Sequence, residues 1–436
     1  MVKPLNVGLI GFGNIGAGVV RSLAANRAVI AERLPRPITI KTIADKDTTT
    51  RRDAPYTQDQ LTSDLNKIYN DPEIDAVIEL VGGEEPARTF VARALEAGKH
   101  VVTANKALLA VHGPELMELA RKNNVGLLYE AAVAGGIPII RTLEQGLSAN
   151  VFSSVMGIFN GTCNYILTRM GEAGLSFDKA LAEAQELGYA EPDPTYDIEG
   201  YDTAHKTAIL SSLAFGMDIR FKDVYVEGIT RIQPVDIQYA RELGYAIKLL
   251  GIAKRPDAGG GVEVRVHPTL VPLDSPLGQV NGVFNSVRVD GWPIGRTVYF
   301  GRGAGADATS SAVISDLMAL ASEERFNPWR DSRLPVPVGR RQLKPMAELR
   351  THYYIRFTVA DRPGAMATIG RALAEVNVSI ESMIQHRAAQ PVQPEAAATV
   401  SIVTHDAPEA AVQSAIARIE ADPISAGRAF VLRVEE

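Results

Sequence analysis

The first part of the chain alternates short apolar runs with longer segments whose apolar residues recur at helical spacing. The first run, residues 6–10, breaks at glycines, as a strand buried on both faces would. Strands that alternate with helices are typical of a parallel, doubly wound sheet. We therefore predict a Rossmann-type parallel sheet in residues 1–135, with a helix at 85–97 and strands at 6–10, 38–44, 75–81, 100–104 and 126–130.

The pattern changes in residues 136–302, where helical segments mix with strands. This mixture indicates an α/β domain with a more open, partly antiparallel sheet. A glycine turn and a helical pattern at 301–317 predict a helix that folds back, so that residues 303–325 complete the first domain. The predicted helices lie at about 137–149, 164–187, 202–216 and 234–244, and the predicted strands at 263–267 and 297–300.

Four prolines among many arginines mark residues 326–350 as a linker. The remaining residues, 351–436, follow the order strand, helix, strand, strand, helix, strand. This order is the ferredoxin-like βαββαβ motif. Its predicted elements are 352–360, 364–376, 378–386, 397–404, 407–421 and 428–435.

Composition narrows the class of protein. The 436 residues are enough for about three domains, and 46% of them are hydrophobic. The net charge is −6 without a basic block, so we expect no nucleic-acid partner. No signal peptide precedes the first strand, no apolar run reaches about 20 residues, and Cys163 is the single cysteine. We expect no membrane partner and a cytoplasmic location.

A Gly-x-Gly-x-x-Gly pattern at Gly11, Gly13 and Gly16 follows the first strand and opens a helix. The first glycine permits a tight turn, the second lets a pyrophosphate approach, and the third lets helix and strand pack closely. The helix N-terminus offers amide donors to the phosphates. This context predicts dinucleotide binding, while the alternative is a tight turn that binds nothing.

The second strand leaves the choice between NAD and NADP open. Asp45 lies near its end and could hold the ribose 2′-hydroxyl, although it is farther from Gly16 than usual. Lys46, Arg51 and Arg52 follow and could accept a 2′-phosphate, or they form a solvated loop.

Two further segments carry candidate chemistry. ThrAlaAsnLysAla (103–107) follows a strand at the edge where open α/β sheets bind ligands, so Lys106 could reach the nicotinamide or the substrate. The competing reading of Lys106 is a surface lysine that starts a helix. In residues 187–206, several acidic residues precede a predicted helix. On that helix Asp202 and Lys206 are four residues apart and share one face. This arrangement suits a polar cationic substrate and proton transfer, or else a solvated acidic loop that caps a helix.

Taken together, these segments resemble homoserine dehydrogenase over about residues 1–325. The matching motifs are GlyPheGlyAsnIleGly (11–16), ThrAlaAsnLysAla (103–107), TyrGluAlaAlaValAlaGlyGlyIlePro (129–138), PheAsnGlyThrCysAsnTyrIleLeu (159–167), GlyTyrAlaGluProAspPro (188–194) and the Asp202–Lys206 segment. The last part resembles an ACT regulatory domain, with AspArgProGlyAla (361–365) at its first turn.

The resemblance implies reduction of L-aspartate 4-semialdehyde to L-homoserine by NADPH or NADH. It gives Lys206 the role of proton donor, has Asp202 orient that lysine, and makes Lys106 a second contributor. Glu191 and Asp197 resemble the substrate acids, with Gly161 and Thr162 as additional contacts, while Asp193 and Glu199 are left as structural acids. The expected cofactor-binding residues are Gly11, Phe12, Gly13, Asn14, Ile15, Gly16, Asp45, Thr103, Asn105, Lys106 and Gly303.

The segment 129–138 resembles the family's monovalent-cation site. It implies that Glu130 and backbone carbonyls near Val133, Gly135 and Ile137 hold sodium or potassium. From the residues alone, a Gly-Gly-Ile-Pro turn before a helix is the simpler interpretation. No Cys/His cluster indicates zinc, and His100, His112 and His205 lack ligand spacing.

The tail is expected to sense an amino acid. The helix that starts near Gly364 could bind a carboxylate beside Asp361, and Asn377 could close the pocket. Threonine is the implied effector, and a homodimer or homotetramer is the implied assembly. The alternative is a tail that only dimerises by sheet pairing.

Two other functions remain open from the sequence. One is a related Rossmann oxidoreductase that acts on another small aldehyde or keto substrate. The other is a non-catalytic sensor of nucleotide and amino acid, which would not need the acids and lysine at Glu191, Asp202 and Lys206.

Overall fold

The computed structural model describes residues 3–255, 261–322, 342–385 and 397–435. Its strands are β1 (Leu5–Ile10), β2 (Ile38–Ala44), β3 (Leu61–Thr62), β4 (Ala76–Glu79), β5 (His100–Thr103), β6 (Leu127–Leu128), β7 (Val151–Ile158), β8 (Tyr225–Val226), β9 (Tyr245–Lys254), β10 (Glu263–Pro272), β11 (Phe284–Trp292), β12 (Gly295–Arg302), β13 (Arg350–Thr351), β14 (Tyr353–Ala360), β15 (Ile380–Gln385), β16 (Ala397–Thr404), β17 (Ala407–Pro408) and β18 (Phe430–Val434).

The α-helices connect these strands. They are α1 (Asn14–Ala25), α2 (Arg27–Arg33), α3 (Asn66–Tyr69), α4 (Ala87–Glu96), α5 (Lys106–Lys122), α6 (Ile139–Arg141), α7 (Gly161–Ala173), α8 (Phe177–Glu186), α9 (Thr195–Ile198), α10 (Tyr201–Phe215), α11 (Pro234–Glu242), α12 (Ala306–Ser322), α13 (Ala365–Ala374) and α14 (Glu409–Ala421).

The described residues form two compact units. The first spans Met1–Gly161, Asp202–Val224 and Phe284–Arg341, and the second spans Thr162–Tyr201, Tyr225–Val283 and Gln342–Glu436. The units gather segments that are distant in the chain. The domain boundaries predicted from the sequence therefore stay predictions.

A six-stranded parallel sheet forms the centre of the first unit, in the order β3-β2-β1-β4-β5-β6. Every residue of β4 is buried, which explains why its sequence is a continuous apolar run rather than an alternating one. The predicted Rossmann-type sheet is thus confirmed.

Helix α12 packs against α1 in this first unit, as the glycine turn at 301–305 predicted. Val313, Leu317 and Leu320 recur at helical spacing and are almost completely buried in the same core as β1. Burying each such side chain contributes roughly 1.5–3 kcal/mol. The first unit also contains an antiparallel sheet of three strands, β12-β11-β7.

The second unit has a mixed sheet. Strand β9 pairs antiparallel with β10, and β10 pairs in parallel with β8 and β18. Antiparallel pairing continues through β18, β14, β16 and β15. Because α13 and α14 connect these last strands, the C-terminal region has the predicted βαββαβ order.

Several element predictions need correction. The single helix predicted at 164–187 is two helices, α7 and α8, because Gly174 adopts a left-handed conformation with φ of +63° and ends the first one. The helix predicted at 137–149 consists of the short α6 and a π-helical turn, Thr142–Gly146. Strands β7, β9 and β11 had not been predicted.

The predicted linker is only partly described. Residues 326–341 lie outside the described residues, and so does residue 386 of the strand predicted at 378–386. The end of the linker is ordered, since Leu343 forms a β-bridge with Val262 and Lys344 pairs with Glu263 at 2.9 Å.

No helix in the described ranges is long and apolar enough to cross a bilayer.

His100 gives the first unit a pH-dependent contribution to stability. Its Nδ1 accepts the backbone N–H of Gly126 at 2.9 Å, and burial, followed by the charge of Arg36, lowers the pKa of His100 from 6.5 to about 4. The unfolded chain therefore binds a proton between these pKa values while the folded chain does not, so stability falls as pH drops through this window.

We expect this one residue to account for up to roughly 3 kcal/mol of acid destabilisation. In His100→Asn the amide oxygen keeps an acceptor for Gly126 but does not titrate. Urea unfolding at about pH 7.5 and about pH 4.5 should show a smaller loss in the variant than in the wild type. Equal losses would show that His100 does not titrate in this window.

Candidate active site

The glycine loop between β1 and α1 has the geometry that a dinucleotide requires. Gly11 has a φ of +96°, and a Cβ there would lie 2.8 Å from the carbonyl carbon of Leu80. A Cβ on Gly16 would overlap the carbonyl oxygen of Gly11. A Cβ on Gly13 would meet no atom within 4 Å, so open space lies where a pyrophosphate would approach. The start of α1 at Asn14 and Ile15 lacks a side-chain cap, which leaves its amides available.

Asp45 supports this loop from the end of β2. Its Oδ2 accepts the backbone N–H of Phe12 at 2.6 Å, and its Oδ1 accepts the backbone N–H of Asp47 at 2.9 Å. Arg52 donates from Nε to the carbonyl oxygen of Phe12 at 3.0 Å. Both oxygens of Asp45 thus already hold backbone amides, and a guanidinium lies beside the loop. Lys46 and Arg51 are exposed.

Glu79 holds the ends of β4 and β5 through hydrogen bonds. Sequence analysis did not predict this role. Glu79 is fully buried at the end of β4, where its Oε1 accepts the N–H groups of Val81 and Gly82 at 2.7 and 3.2 Å. Its Oε2 accepts the Thr103 hydroxyl at 2.7 Å. A glutamate inside the apolar run 75–81 was the available signal, because a buried charge needs partners.

Asn105 places Lys106 at the first position of α5. Its side-chain oxygen accepts the N–H of Leu108 at 3.1 Å as an N-cap, and its amide donates to the carbonyl oxygen of Gly83 at 2.7 Å. Lys106 is therefore held at a strand end by two hydrogen bonds of its neighbour.

Asp202 joins two lysines in the first unit. Lys206 Nζ lies 2.6 Å from Asp202 Oδ2 and donates to the carbonyl oxygen of Phe159, also at 2.6 Å. Lys106 Nζ lies 3.2 Å from Asp202 Oδ1. Asn160 donates from Nδ2 to Oδ2 of Asp202 at 2.9 Å. The structure thus brings together the three predicted catalytic residues and adds two groups that follow β7.

Asp202 and Lys206 of this cluster are buried, Lys106 is partly exposed, and the three side chains together carry a net positive charge. Lys206 is 7% exposed and Asp202 is 3% exposed, since α10 is buried on all sides from Asp202 to Ser212. Burial opposes ionisation of Asp202, but the charges of Lys206 and Lys106 outweigh it and hold the pKa of Asp202 well below its ordinary value. A buried ammonium with one shared carboxylate can stabilise negative charge that develops on a nearby oxygen.

The predicted substrate residues lie mainly in the second unit. Glu191 is exposed, and its carbonyl oxygen accepts the Gln185 amide at 3.1 Å. The carbonyl oxygen of Asp197, on α9, accepts the thiol of Cys163 at 3.2 Å. The Thr162 hydroxyl donates to the carbonyl oxygen of Tyr189 at 2.7 Å. Gly161, at the start of α7, belongs to the first unit.

The predicted cation segment is a tight buried wrap of backbone. Val133 and Ile137 are almost fully buried, and Ala134 and Gly135 both adopt positive φ. The two carboxylate oxygens of Glu130 accept the N–H groups of Ile140 and Arg141 at 2.9 and 2.8 Å. The side chain of Glu130 thus caps α6, which leaves backbone carbonyls as the oxygens suited to a cation. The described residues contain no group of three or more His, Cys, Asp or Glu side chains that could hold a metal ion.

Gly303 lies against this wrap. A Cβ added at Gly135 would lie 2.5 Å from the carbonyl oxygen of Gly303. The amide of Asn285 fills the space beside the Cα of Gly303, and both polar atoms of that amide are buried without a hydrogen-bond partner among the described residues.

The predicted effector residues lie around α13. Gly364 has a φ of +96° and directly precedes the helix, whose first amides are uncapped. Asp361 is exposed. Asn377 is exposed with a φ of +57°, and its N–H donates to the carbonyl oxygen of Ala374 at 3.0 Å. Asn377 therefore serves as the left-handed residue after the helix end.

The parallel sheet, glycine loop and lysine–carboxylate cluster define an NAD(P)-dependent oxidoreductase. Family models match for homoserine dehydrogenase over residues 138–318, for the homoserine dehydrogenase NAD binding domain over 11–130, and for the ACT domain over 353–423. The chain belongs to the homoserine dehydrogenase family.

Individual relatives agree over the whole length. The homoserine dehydrogenase of Neisseria gonorrhoeae is 45% identical over 425 residues, with 96% of each chain covered. That of Pseudomonas aeruginosa is 42% identical over 439 residues, with 100% of each chain covered. The solved homoserine dehydrogenase from Thiobacillus denitrificans has a TM-score of 0.90 at 42% identity, covering 100% of this chain and 99% of that chain. The predicted family, fold class and ACT domain are confirmed.

Proposed function

We propose that Lys206 is the proton donor in the reduction of L-aspartate 4-semialdehyde to L-homoserine. A bound reduced nicotinamide supplies the hydride to the aldehyde carbon. Of the three N–H bonds of the Lys206 ammonium, Asp202 and the carbonyl oxygen of Phe159 take two within the described residues. The third is left for the aldehyde oxygen, where negative charge develops. This spare donor on a buried ammonium is the observation that carries the proposal.

Lys106 makes proton donation by Lys206 less costly. When Lys206 gives up its proton, the buried carboxylate of Asp202 loses one cation but keeps Lys106 at 3.2 Å and Asn160 at 2.9 Å. A buried carboxylate without a cation would be strongly destabilised. The shared geometry lets the charge on Lys206 change during each turnover.

Glu191 and Asp197 are proposed to bind the α-ammonium of the substrate, and Gly161 and Thr162 are proposed as additional contacts. The exposure of Glu191 leaves its carboxylate accessible for charge-assisted hydrogen bonds. The homoserine KM of Asp197→Asn and Glu191→Gln, compared with kcat, tests this role.

NADP is proposed as the preferred cofactor. Both oxygens of Asp45 hold backbone amides, so a ribose hydroxyl would compete with them, whereas Lys46 and Arg51 are exposed next to the loop. We expect Lys46→Gln/Arg51→Gln to lower kcat/KM for NADPH by about tenfold, with a much smaller change for NADH. A double variant that loses both activities equally, or neither, would contradict this preference.

A sodium or potassium ion is proposed at the 129–138 wrap, held by backbone carbonyls of Glu130, Val133, Gly135 and Ile137. The positive φ values of Ala134 and Gly135 support this, because they turn successive peptides within a short span. The activity of protein exchanged into sodium, potassium and tetramethylammonium salts measures the requirement.

The ACT domain suggests binding of an amino-acid effector, and we propose threonine at the turn formed by Asp361 and Gly364, near Asn377. Its support is the uncapped start of α13.

A homodimer or homotetramer in the cytoplasm is also proposed. Val151 and Trp292 pair across β7 and β11 and are 60% and 78% exposed, as an apolar face for a second copy would be. Light scattering of Trp292→Glu tests the oligomeric state, and cell fractionation tests the location. Titration with threonine tests the effector.

One assay tests the reaction. Nicotinamide absorbance is followed with homoserine and with a panel of 2-hydroxy acids, in sodium and in potassium salts. The proposal predicts reduction of NADP with homoserine only. Turnover of another hydroxy acid instead would indicate a related oxidoreductase.

A further inference from the structure

A cavity in the second unit is lined by none of the residues proposed above to act in catalysis or to bind the substrate, cofactor, cation or effector. Its volume is about 650 Å³, within the range of small-molecule sites. Four walls enclose it: the segment 225–231, one face of α14, the residues that lead into β18, and the turn at Met346 and Ala347. All of these belong to the second unit.

The cavity is lined by charges of both signs, with acids in excess. Four glutamates and two arginines line it: Glu199, Glu227, Glu409, Glu420, Arg231 and Arg428. A ligand with both a carboxylate and an ammonium group would find partners here. With the adjoining Arg433 counted, four glutamates still face only three arginines, so a second ammonium would suit the one remaining acid.

Some of these charges are already engaged. The buried Arg433 donates to Glu227 at 2.7 Å and to Glu409 at 2.6 Å. The backbone of Ala429 is held at its N–H by Glu420, at 2.7 Å, and at its carbonyl oxygen by Arg231. These contacts make the walls rigid.

Two lining charges remain for a ligand. Glu199 is half-buried and Arg428 is exposed, and neither side chain has a hydrogen bond or ion pair within the described part of the chain. An α-amino acid is complementary in charge to these two side chains, since its carboxylate suits the guanidinium and an ammonium suits the carboxylate.

The cavity wall is tightly packed against the chain that leads to Asp202. A Cβ on Gly228 would overlap the carbonyl oxygen of Ile198 and lie 2.6 Å from Cα of Glu199. Ile229 N–H donates to that same carbonyl oxygen at 2.8 Å. Glu199 precedes Asp202 by three residues, and Asp197 lies just before it. A ligand that moves Glu199 would therefore act on the start of α10.

We propose that this cavity binds a free L-α-amino acid, preferring one with a cationic side chain, and that binding changes the activity through Glu199 and the start of α10. The site is distinct from the turn at Asp361 and Gly364. Amino-acid binding is measured without the dehydrogenase reaction, and only the change in activity rests on the proposed function.

The test is calorimetric titration of the full-length protein with L-lysine, L-threonine and L-aspartate. Lysine is expected to bind most tightly and aspartate least. Arg428→Gln and Glu199→Gln should each weaken lysine binding by about tenfold or more. Two controls should bind L-lysine as the wild type does: Arg418→Gln, whose arginine on the same helix pairs with Glu375, and Asp361→Asn at the other turn.

The outcomes separate the two sites. Loss of binding in Asp361→Asn but not in Arg428→Gln would overturn the proposal, and so would a failure of all three amino acids to bind. Turnover is then measured with and without lysine. Arg428→Gln should match the wild type without lysine and should lose the response to it. Bound lysine without any change in wild-type KM or kcat would contradict the link through Glu199.

Discussion

Replacing Lys206 by methionine is expected to lower turnover by roughly 10²–10⁴, or about 3–5 kcal/mol in activation free energy. Methionine is close in length and apolar, so it fills the buried space but supplies neither a proton nor a positive charge. The binding of NADPH should change little, because the glycine loop at Gly11–Gly16 does not contact this side chain in any described hydrogen bond. Turnover is measured with saturating substrate, and cofactor binding by nicotinamide fluorescence.

Asp202→Asn is the matched comparison for Lys206→Met. The asparagine keeps the shape of the side chain but removes the charge that holds Lys206 and Lys106. It should reduce turnover less than Lys206→Met does, since the ammonium remains. Circular dichroism and thermal unfolding establish that both variants are folded. If Lys206→Met retained turnover within about tenfold of the wild type, general acid catalysis by this residue would be excluded.

The second large effect is expected at the glycine loop, where two alanine substitutions should each impair cofactor binding, but for different physical reasons. In Gly16→Ala the new methyl group overlaps the carbonyl oxygen of Gly11, so the turn itself must move. Such overpacking typically costs about 1–3 kcal/mol. We expect a lower unfolding temperature together with a loss of cofactor binding.

Gly13→Ala should instead leave the fold intact. The backbone of Gly13 has a φ of −77°, which alanine adopts, and its Cβ meets no atom within 4 Å. The methyl group would stand where the pyrophosphate approaches, so KM for NADPH should rise by about tenfold or more. A Gly13→Ala variant with an unchanged KM would show that the phosphates do not lie over this residue.

Local patterns were enough to predict much of the cluster formed by Asp202, Lys206 and Lys106. The i, i+4 spacing of Asp202 and Lys206 requires only a helix, and α10 provides it with the two groups 2.6 Å apart. The glycine pattern at residues 11–16 was equally readable, because its spacing is local, and a Cβ on Gly16 would overlap the carbonyl oxygen of Gly11 only five residues earlier.

Contacts between distant parts of the chain were not readable. Phe159 and Asn160 reach Lys206 and Asp202 only because β7 ends beside α10. The carboxylate of Glu130 accepts the N–H of Ile140, ten residues onward at α6. The hydrogen bond from Phe12 to Asp45 likewise spans 33 residues of sequence. Such contacts depend on how strands and helices pack, which short-range spacing does not encode.

The rate of the chemical step in Lys206→Met tests the central claim most directly. The preformed complex of the variant with NADPH is mixed rapidly with L-aspartate 4-semialdehyde, and the loss of nicotinamide absorbance is followed within the first turnover. If Lys206 protonates the aldehyde oxygen, hydride transfer itself slows by roughly a hundredfold or more. Hydride transfer at the wild-type rate, with only later steps slowed, would contradict the assignment.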